Sequence, residues 1–246
     1  MPPPEIIVKK DADELSSYAA ELFTAMVGRG IDARGSASVS LAGGSTPRKL
    51  YLRLSTEPFR SSIDWSKVVF FFGDERNVPP DSADSNFRMA NETLLRPLGV
   101  PHRQIFRWRT EIGDPNAAAR EYEQKLHDHI NTFGSGLDVV LLGLGADGHT
   151  ASLFPHSSAL SECERAAVAN WVEAFDDYRL TITFSIINGA SSVIFLISGA
   201  EKAPAVAKTL EGDFRPNDLP AQSVQPENGS LYWLLDEPAA SLLSGR

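Results

Sequence analysis

Short apolar runs recur along this chain, and segments of helical spacing fill the intervals between them. The runs fall at residues 37–41, 68–72, 139–144, 180–186, 193–197 and 231–235, with a briefer strand-like Ile6-Ile7-Val8 near the start. Helical patterns fall at 12–27, 47–54, 86–95, 117–133 and 203–210; in the fourth, Tyr122, Leu126, Ile130 and Phe133 share one face. Strands that alternate with helices pair in parallel, because each helix carries the chain back to the same edge of the sheet. The runs at 68–72 and 139–144 are apolar throughout, which places them at the centre of the sheet, buried on both faces. The pattern predicts an α/β fold, Rossmann-like, with a mainly parallel sheet and helices on both faces.

The 246 residues suffice for one full core, and no repeat or linker divides them, so residues 1–246 read as a single domain. The Pro/Asp/Ser-rich stretch 77–84 is too short to separate domains. Only Pro2 to Pro4 and the last few residues have a composition that argues against packing. Of these, Pro2, Gly245 and Arg246 lie outside the residues the structure describes.

A formal net charge of −9 argues against a general nucleic-acid binder, which needs a basic face for phosphates. It does not exclude a small anion, which needs only a few local cations and backbone N–H groups. No apolar run approaches the roughly 20 residues of a membrane span, and the start shows no charged-then-apolar secretory pattern. The one cysteine, Cys163, is flanked by Glu162 and Glu164, which disfavour a thiolate. It reads as structural or exposed. A reducing cytoplasm is the expected compartment.

In open parallel sheets, ligands bind beyond the carboxyl ends of the strands. Three strand ends here carry unusual chemistry. After the run at 37–41 comes Gly43-Gly44-Ser45-Thr46-Pro47. Thr46 suits an N-cap and Pro47 the first helical position, so a helix N-terminus with unpaired N–H groups should open there as an anion site. It is neither a Walker loop nor a dinucleotide fingerprint. A plain strand-to-helix turn is the competing reading.

After three phenylalanines comes Gly73-Asp74-Glu75-Arg76, followed downstream by Asp84-Ser85-Asn86. Asp74 is placed to hold a sugar hydroxyl, a water or a catalytic imidazole, and Arg76 offers a forked donor for phosphate or carboxylate. An internal ion pair is the alternative. Asn86 is placed to cap the next helix.

After the run at 139–144 comes Gly145-Ala146-Asp147-Gly148-His149, in which small residues let the loop present His149. An imidazole is the side chain best suited to general-base work near neutral pH, and Asp147 is near enough to orient it. His127 and His129 face different ways on a helical segment, and His102 and His156 stand beside prolines. These four read as structural or solvent-facing, and no metal-ligand spacing is present. No Gly-x-Ser-x-Gly elbow occurs, so Ser45 and Ser152 read as binding or capping hydroxyls.

These motifs, with the continuation Thr150-Ala151-Ser152-Leu153-Phe154-Pro155, resemble in order and spacing the 6-phosphogluconolactonases of the glucosamine-6-phosphate isomerase/6-phosphogluconolactonase family. The resemblance covers nearly the whole chain. It implies the sugar-phosphate isomerase/deaminase-like fold and, without metal or organic cofactor, hydrolysis of 6-phosphogluconolactone to 6-phosphogluconate, the second step of the oxidative pentose phosphate pathway. The implied partner is a small sugar-phosphate lactone, with no nucleic acid or membrane, and the chain would be a monomer or small homo-oligomer. The implied catalytic set is His149, Asp147 and Asp74. The implied substrate and phosphate contacts are Gly43, Gly44, Ser45, Thr46, Glu75 and Arg76. Arg179 and Lys202 join them only because they match a family Arg at the start of one strand and a family Lys after the next.

The deaminases of the family carry an Asn-Glu pair after the histidine, where this chain has Phe154-Pro155, and usually a Tyr where it has Arg76. Lactone hydrolysis is therefore the expected activity. A deaminase-like enzyme and a non-catalytic sugar-phosphate binder are the alternatives.

Overall fold

The computed structural model describes residues 3–244. Six strands, β1 (Glu5–Lys9), β2 (Ala37–Leu41), β3 (Val68–Phe72), β5 (Val139–Leu142), β8 (Ser192–Ile197) and β9 (Ser230–Asp236), form a wholly parallel sheet. Its order is β1-β9-β8-β5-β2-β3. Three more, β4 (Asp74–Arg76), β6 (Ala167–Val172) and β7 (Asp177–Ile182), form a small antiparallel sheet in the order β4-β7-β6. The helices are α1 (Ala12–Arg34), α2 (Ser45–Leu54), α3 (Phe59–Ser62), α4 (Asn86–Ala90), α5 (Pro115–Phe133), α6 (Phe184–Asn188) and α7 (Ala203–Glu211), and α4 runs on into a π turn at Asn91–Leu95.

Every residue of β2, β5 and β8 is buried, so both faces of the large sheet are covered, as parallel pairing through helical crossovers requires. From β2 the chain steps outward to β3 on one side; from β5 it steps through β8 to β9 on the other. The order therefore reverses between β2 and β5, where the loops leaving the two strands part and open a crevice.

Three sequence expectations need correction. The run at 68–72 forms β3, but at the edge of the large sheet and not at its centre. It is buried there because residues 105 and 106 lie along its outer side. Ile105 bridges Phe70, the Phe106 N–H donates to the Phe70 carbonyl at 2.8 Å, and the Phe71 and Phe106 rings stack at 5.0 Å. An apolar strand can thus mark a covered edge as well as a centre.

The run expected at 180–186 is two elements. β7 ends at Ile182 and α6 begins at Phe184, with β7 antiparallel in the small sheet. Of the small sheet's other strands, β4 is three charged residues with no apolar signal, and β6 went unpredicted. Finally, α1 continues beyond residue 27 to Arg34 and stops at Gly35, whose φ of 79° is a left-handed cap. Gly28 and Gly30 weaken helix propensity in that stretch, but tertiary packing overrides it, and Gly30 is buried.

Candidate active site

A cleft of about 350 Å³ lies beyond the carboxyl ends of β2, β5 and β8, at the reversal of strand order. Its first wall is the loop after β2. Ala42, just past that strand, has its N–H and carbonyl both bonded to the Tyr51 hydroxyl, at 2.9 and 2.8 Å. This buried tyrosine fastens α2 to the strand end. Tyr122 of α5 does the same for Phe72 at the end of β3, at 2.6 and 2.8 Å. Burial pushes both phenols well above their ordinary pKa, so they act only as neutral donors and acceptors.

α2 opens two residues earlier than expected. Gly44, with φ 104°, is its N-cap, so Ser45 and Thr46 lie in the first turn and Thr46 is not the cap. No acidic residue stands in that turn, and Gly43, Gly44, Ser45 and Thr46 all line the cleft. The arrangement keeps the helix N–H groups available to an anion. Gly43 is required by a neighbour: the Asn86 carboxamide fills the space a Cβ there would take.

β4 separates three adjacent charges by strand alternation. Asp74 and Arg76 line the cleft. Glu75 points the other way and is 3% exposed, which corrects its expected place among the substrate contacts. Its carboxylate accepts from the backbone N–H groups of Arg76 (2.9 Å), Asn86 (2.7 Å) and Phe87 (2.8 Å) and from the Ser85 hydroxyl (2.9 Å). Burial raises the pKa of Glu75 against those four bonds. Ser85, not Asn86, caps α4.

Asp74 accepts from the Asn86 amide at 3.1 Å and the Ser152 hydroxyl at 2.7 Å. Those bonds fix the carboxylate at the cleft wall; the His149 imidazole is not among its hydrogen-bond partners. Arg76 donates to the Asp84 carbonyl at 2.5 Å, which aims the guanidinium from the side.

The loop after β5 carries the second wall. The Gly145 N–H donates to the His149 carbonyl at 2.8 Å and the Gly148 N–H to the Gly145 carbonyl at 3.1 Å, closing a tight turn. His149 Nδ1 stands 2.5 Å from Asp147 Oδ1, and the His149 N–H donates to the same oxygen at 3.2 Å. A Cβ on Gly145 would collide with both members of this pair. Partial burial works to raise the Asp147 pKa, but the His149 ring, its charge and its backbone N–H outweigh it and hold the carboxyl below its ordinary value. The Phe154 ring lies 4.2 Å from the His149 ring, centroid to centroid. Behind the loop, the Ala221 N–H donates to the Gly148 carbonyl at 3.0 Å.

Lys202 reaches the cleft from the turn after β8 and donates to the Leu144 carbonyl at 2.8 Å. Arg179 does not line the cleft. It sits opposite Arg76 across the β4–β7 ladder, with its guanidinium 4.5 Å from the Phe175 ring centroid and 3.5 Å from Asp177. The resemblance implies a phosphate contact shared with the 43–46 loop; here the guanidinium is engaged by Phe175 and Asp177 instead.

The remaining histidines lie elsewhere. His129 packs between Phe71 and Phe133, and burial lowers its pKa to about 4. His156 pairs with Asp218 at 3.2 Å. Among the described residues, no group of three or more His, Cys, Asp or Glu is placed to hold a metal ion. No described helix is long and apolar enough to cross a membrane. Sequence reasoning missed the roles of Asn86, Tyr51 and Tyr122. Their only signal is tertiary, since their partners lie 9 (Tyr51 to Ala42), 12 (Asn86 to Asp74) and 50 (Tyr122 to Phe72) residues away, outside any local periodic pattern.

Residues 10–233 match the family model described as glucosamine-6-phosphate isomerases/6-phosphogluconolactonase. The chain is 37% identical over 243 residues to a 6-phosphogluconolactonase of Synechocystis, covering 98% of each chain. It superposes on the 6-phosphogluconolactonase of Trypanosoma cruzi with a TM-score of 0.87 at 30% identity, covering 98% of this chain and 97% of that one. The Trypanosoma brucei enzyme gives 0.84 at 31%, covering 98% and 99%. A full-length match in sequence and in fold, with the motifs gathered at one cleft, means that this chain belongs to the glucosamine-6-phosphate isomerase/6-phosphogluconolactonase family.

Proposed function

We propose that this enzyme hydrolyses 6-phosphogluconolactone to 6-phosphogluconate, with His149 as general base and the phosphate held by Lys202, Arg76 and the start of α2. The observation that carries the reading is the hydrogen bond between His149 Nδ1 and Asp147 Oδ1, at 2.5 Å, in a cleft that also holds those cations. With Nδ1–H donated to the carboxylate, Nε2 keeps its lone pair and is the basic nitrogen.

A water gives one proton to Nε2 as its oxygen bonds to the lactone carbonyl carbon. The carbonyl π pair moves onto oxygen, where backbone N–H groups at the cleft stabilise it. When that pair returns, the bond to the ring oxygen breaks, and the ring oxygen takes the proton from Nε2. The product is an open-chain acid, which releases its carboxyl proton. Asp147 stays ionised throughout and supports the imidazolium, in keeping with its lowered pKa. General-base catalysis of this kind contributes about 10²- to 10⁴-fold. Binding energy from the remote phosphate positions the carbonyl.

The deaminase reading is weakened by Phe154. Where the resemblance implies a deaminase acid, this chain packs an aromatic ring on the catalytic imidazole. We read residues 1–246 as one catalytic domain, supported by a core cluster that continues through both sheets. A reducing cytoplasm is the proposed compartment, consistent with a lone, exposed Cys163.

The test is a coupled-dehydrogenase assay on freshly made 6-phosphogluconolactone, run beside an ammonia assay on glucosamine 6-phosphate. Accelerated formation of 6-phosphogluconate with no ammonia release is expected. Ammonia release without lactone turnover would replace the proposal with the deaminase reading.

A further inference from the structure

We propose that Asp236 is a positioning residue for the reaction, holding the turn that aims Lys202 into the cleft. The inference rests on the reading of Lys202 as a phosphate contact. Asp236 ends β9 and is 2% exposed. Its Oδ1 accepts from the Gly199 N–H at 3.0 Å and the Ala239 N–H at 2.8 Å. Its Oδ2 accepts from the Gly199 N–H at 3.1 Å and from the Ser198 hydroxyl. Every one of these donors is neutral. A carboxylate buried among neutral donors forfeits hydration that no ion pair replaces, so its position calls for a reason.

Capping the turn at 238–240 accounts for only the bond from Ala239. The other bonds go to Ser198 and Gly199, at the start of the turn that carries Lys202. Gly199 has φ 105°, and its carbonyl accepts from the Lys202 N–H at 3.0 Å. The side chain of Lys202 then crosses to the Leu144 carbonyl at 2.8 Å, at the root of the loop that presents His149. Since β9, β8 and β5 are neighbours in the sheet, the contacts run across three adjacent strand ends, from Asp236 through the 198–202 turn to Leu144. One ammonium proton is spent on Leu144, which leaves the others for an anionic group bound in the cleft. The carboxylate thereby fixes where the cation stands without touching the substrate.

The test is a double-mutant cycle on Asp236→Ala and Lys202→Ala, assayed with 6-phosphogluconolactone and with unphosphorylated glucono-1,5-lactone. Asp236→Ala is expected to raise KM for the phosphorylated substrate about tenfold, equivalent to about 1.4 kcal/mol. Its kcat should stay within about threefold, and kcat/KM for the unphosphorylated lactone within about twofold. In the Lys202→Ala background the same substitution should add nothing to KM, because the group it positions is gone.

Equal losses on both lactones, or the full rise in KM persisting without Lys202, would overturn the proposal and leave Asp236 a structural cap. If Lys202→Ala alone leaves KM unchanged, the phosphate reading of Lys202 fails first and takes this inference with it. Asp236→Asn, which keeps an acceptor for Gly199 and Ala239, should recover most of the loss. If the alanine variant does not fold, the asparagine variant carries the same cycle with an expected rise of about threefold, and its absence overturns the proposal equally.

Discussion

The large parallel sheet and the small antiparallel one supply the cleft in different ways. The parallel sheet contributes loops. The 43–46 turn, the pair of Asp147 and His149, and Lys202 all follow strand ends, where the backbone is released from the ladder. The antiparallel sheet contributes side chains from within strands. Asp74 and Arg76 face the cleft because they alternate with Glu75 along β4, and Arg179 stands beside them across the ladder. A loop can be shaped around a reacting group. A strand offers only every second residue, so its charges divide between solvent cleft and packed interior.

This division ranks the expected effects of substitution. The largest belongs to the loop after β5. His149→Ala should lower kcat by about 10²- to 10⁴-fold with little change in thermal midpoint. Near-normal turnover would move the chemistry away from that loop altogether. Gly145→Ala should follow, since its methyl group meets the imidazole of His149 and the carboxylate of Asp147. Displacing a positioned base by about 1 Å costs on the order of 10²-fold. The check is kcat, together with a crystal structure of the variant; an undisturbed pair with full activity would show the turn to be more adaptable than drawn.

The antiparallel sheet should give smaller and divided effects. Arg76→Ala should raise KM for the phosphorylated lactone about ten- to a hundredfold, the range for a lost charge-assisted contact. Arg179→Ala should change it by no more than about threefold, because its guanidinium is engaged by Phe175 and Asp177. Steady-state kinetics on both variants decides. Comparable losses would mean that Arg179 swings into the cleft when substrate binds, and would erase the distinction between β4 and its ladder partner β7.

The smallest effect on the reaction is expected at Glu75. Glu75→Gln should leave kcat within about threefold while lowering unfolding stability by about 1–3 kcal/mol, because one acceptor oxygen becomes an NH2 group and leaves two of the four buried donors without a partner. Urea unfolding beside activity measurements separates the two. An active-site defect without a stability loss would return Glu75 to the chemistry.

Much of this was legible in the chain itself. The apolar runs marked all the inner strands of the large sheet, and the Asp147 and His149 motif was readable because its members lie two residues apart. β4 was not legible as a strand, since three charged residues carry no periodic apolar signal. Glu75 was misplaced for the same reason: without knowing that 74–76 is extended and paired with β7, nothing separates its face from that of Asp74.

The amino-acid sequence by itself determined the α/β alternation, the strand ends that carry chemistry, and the local pairing of a histidine with its carboxylate. These are short-range matters, set by side-chain periodicity, turn residues and a span of a few bonds. Only the tertiary structure decided that β3 lies at a covered edge, that Glu75 is interior while Asp74 is not, and that Asp236 grips the turn of Lys202. Each of those depends on which strands become neighbours, and strand order is fixed by packing between segments tens to hundreds of residues apart.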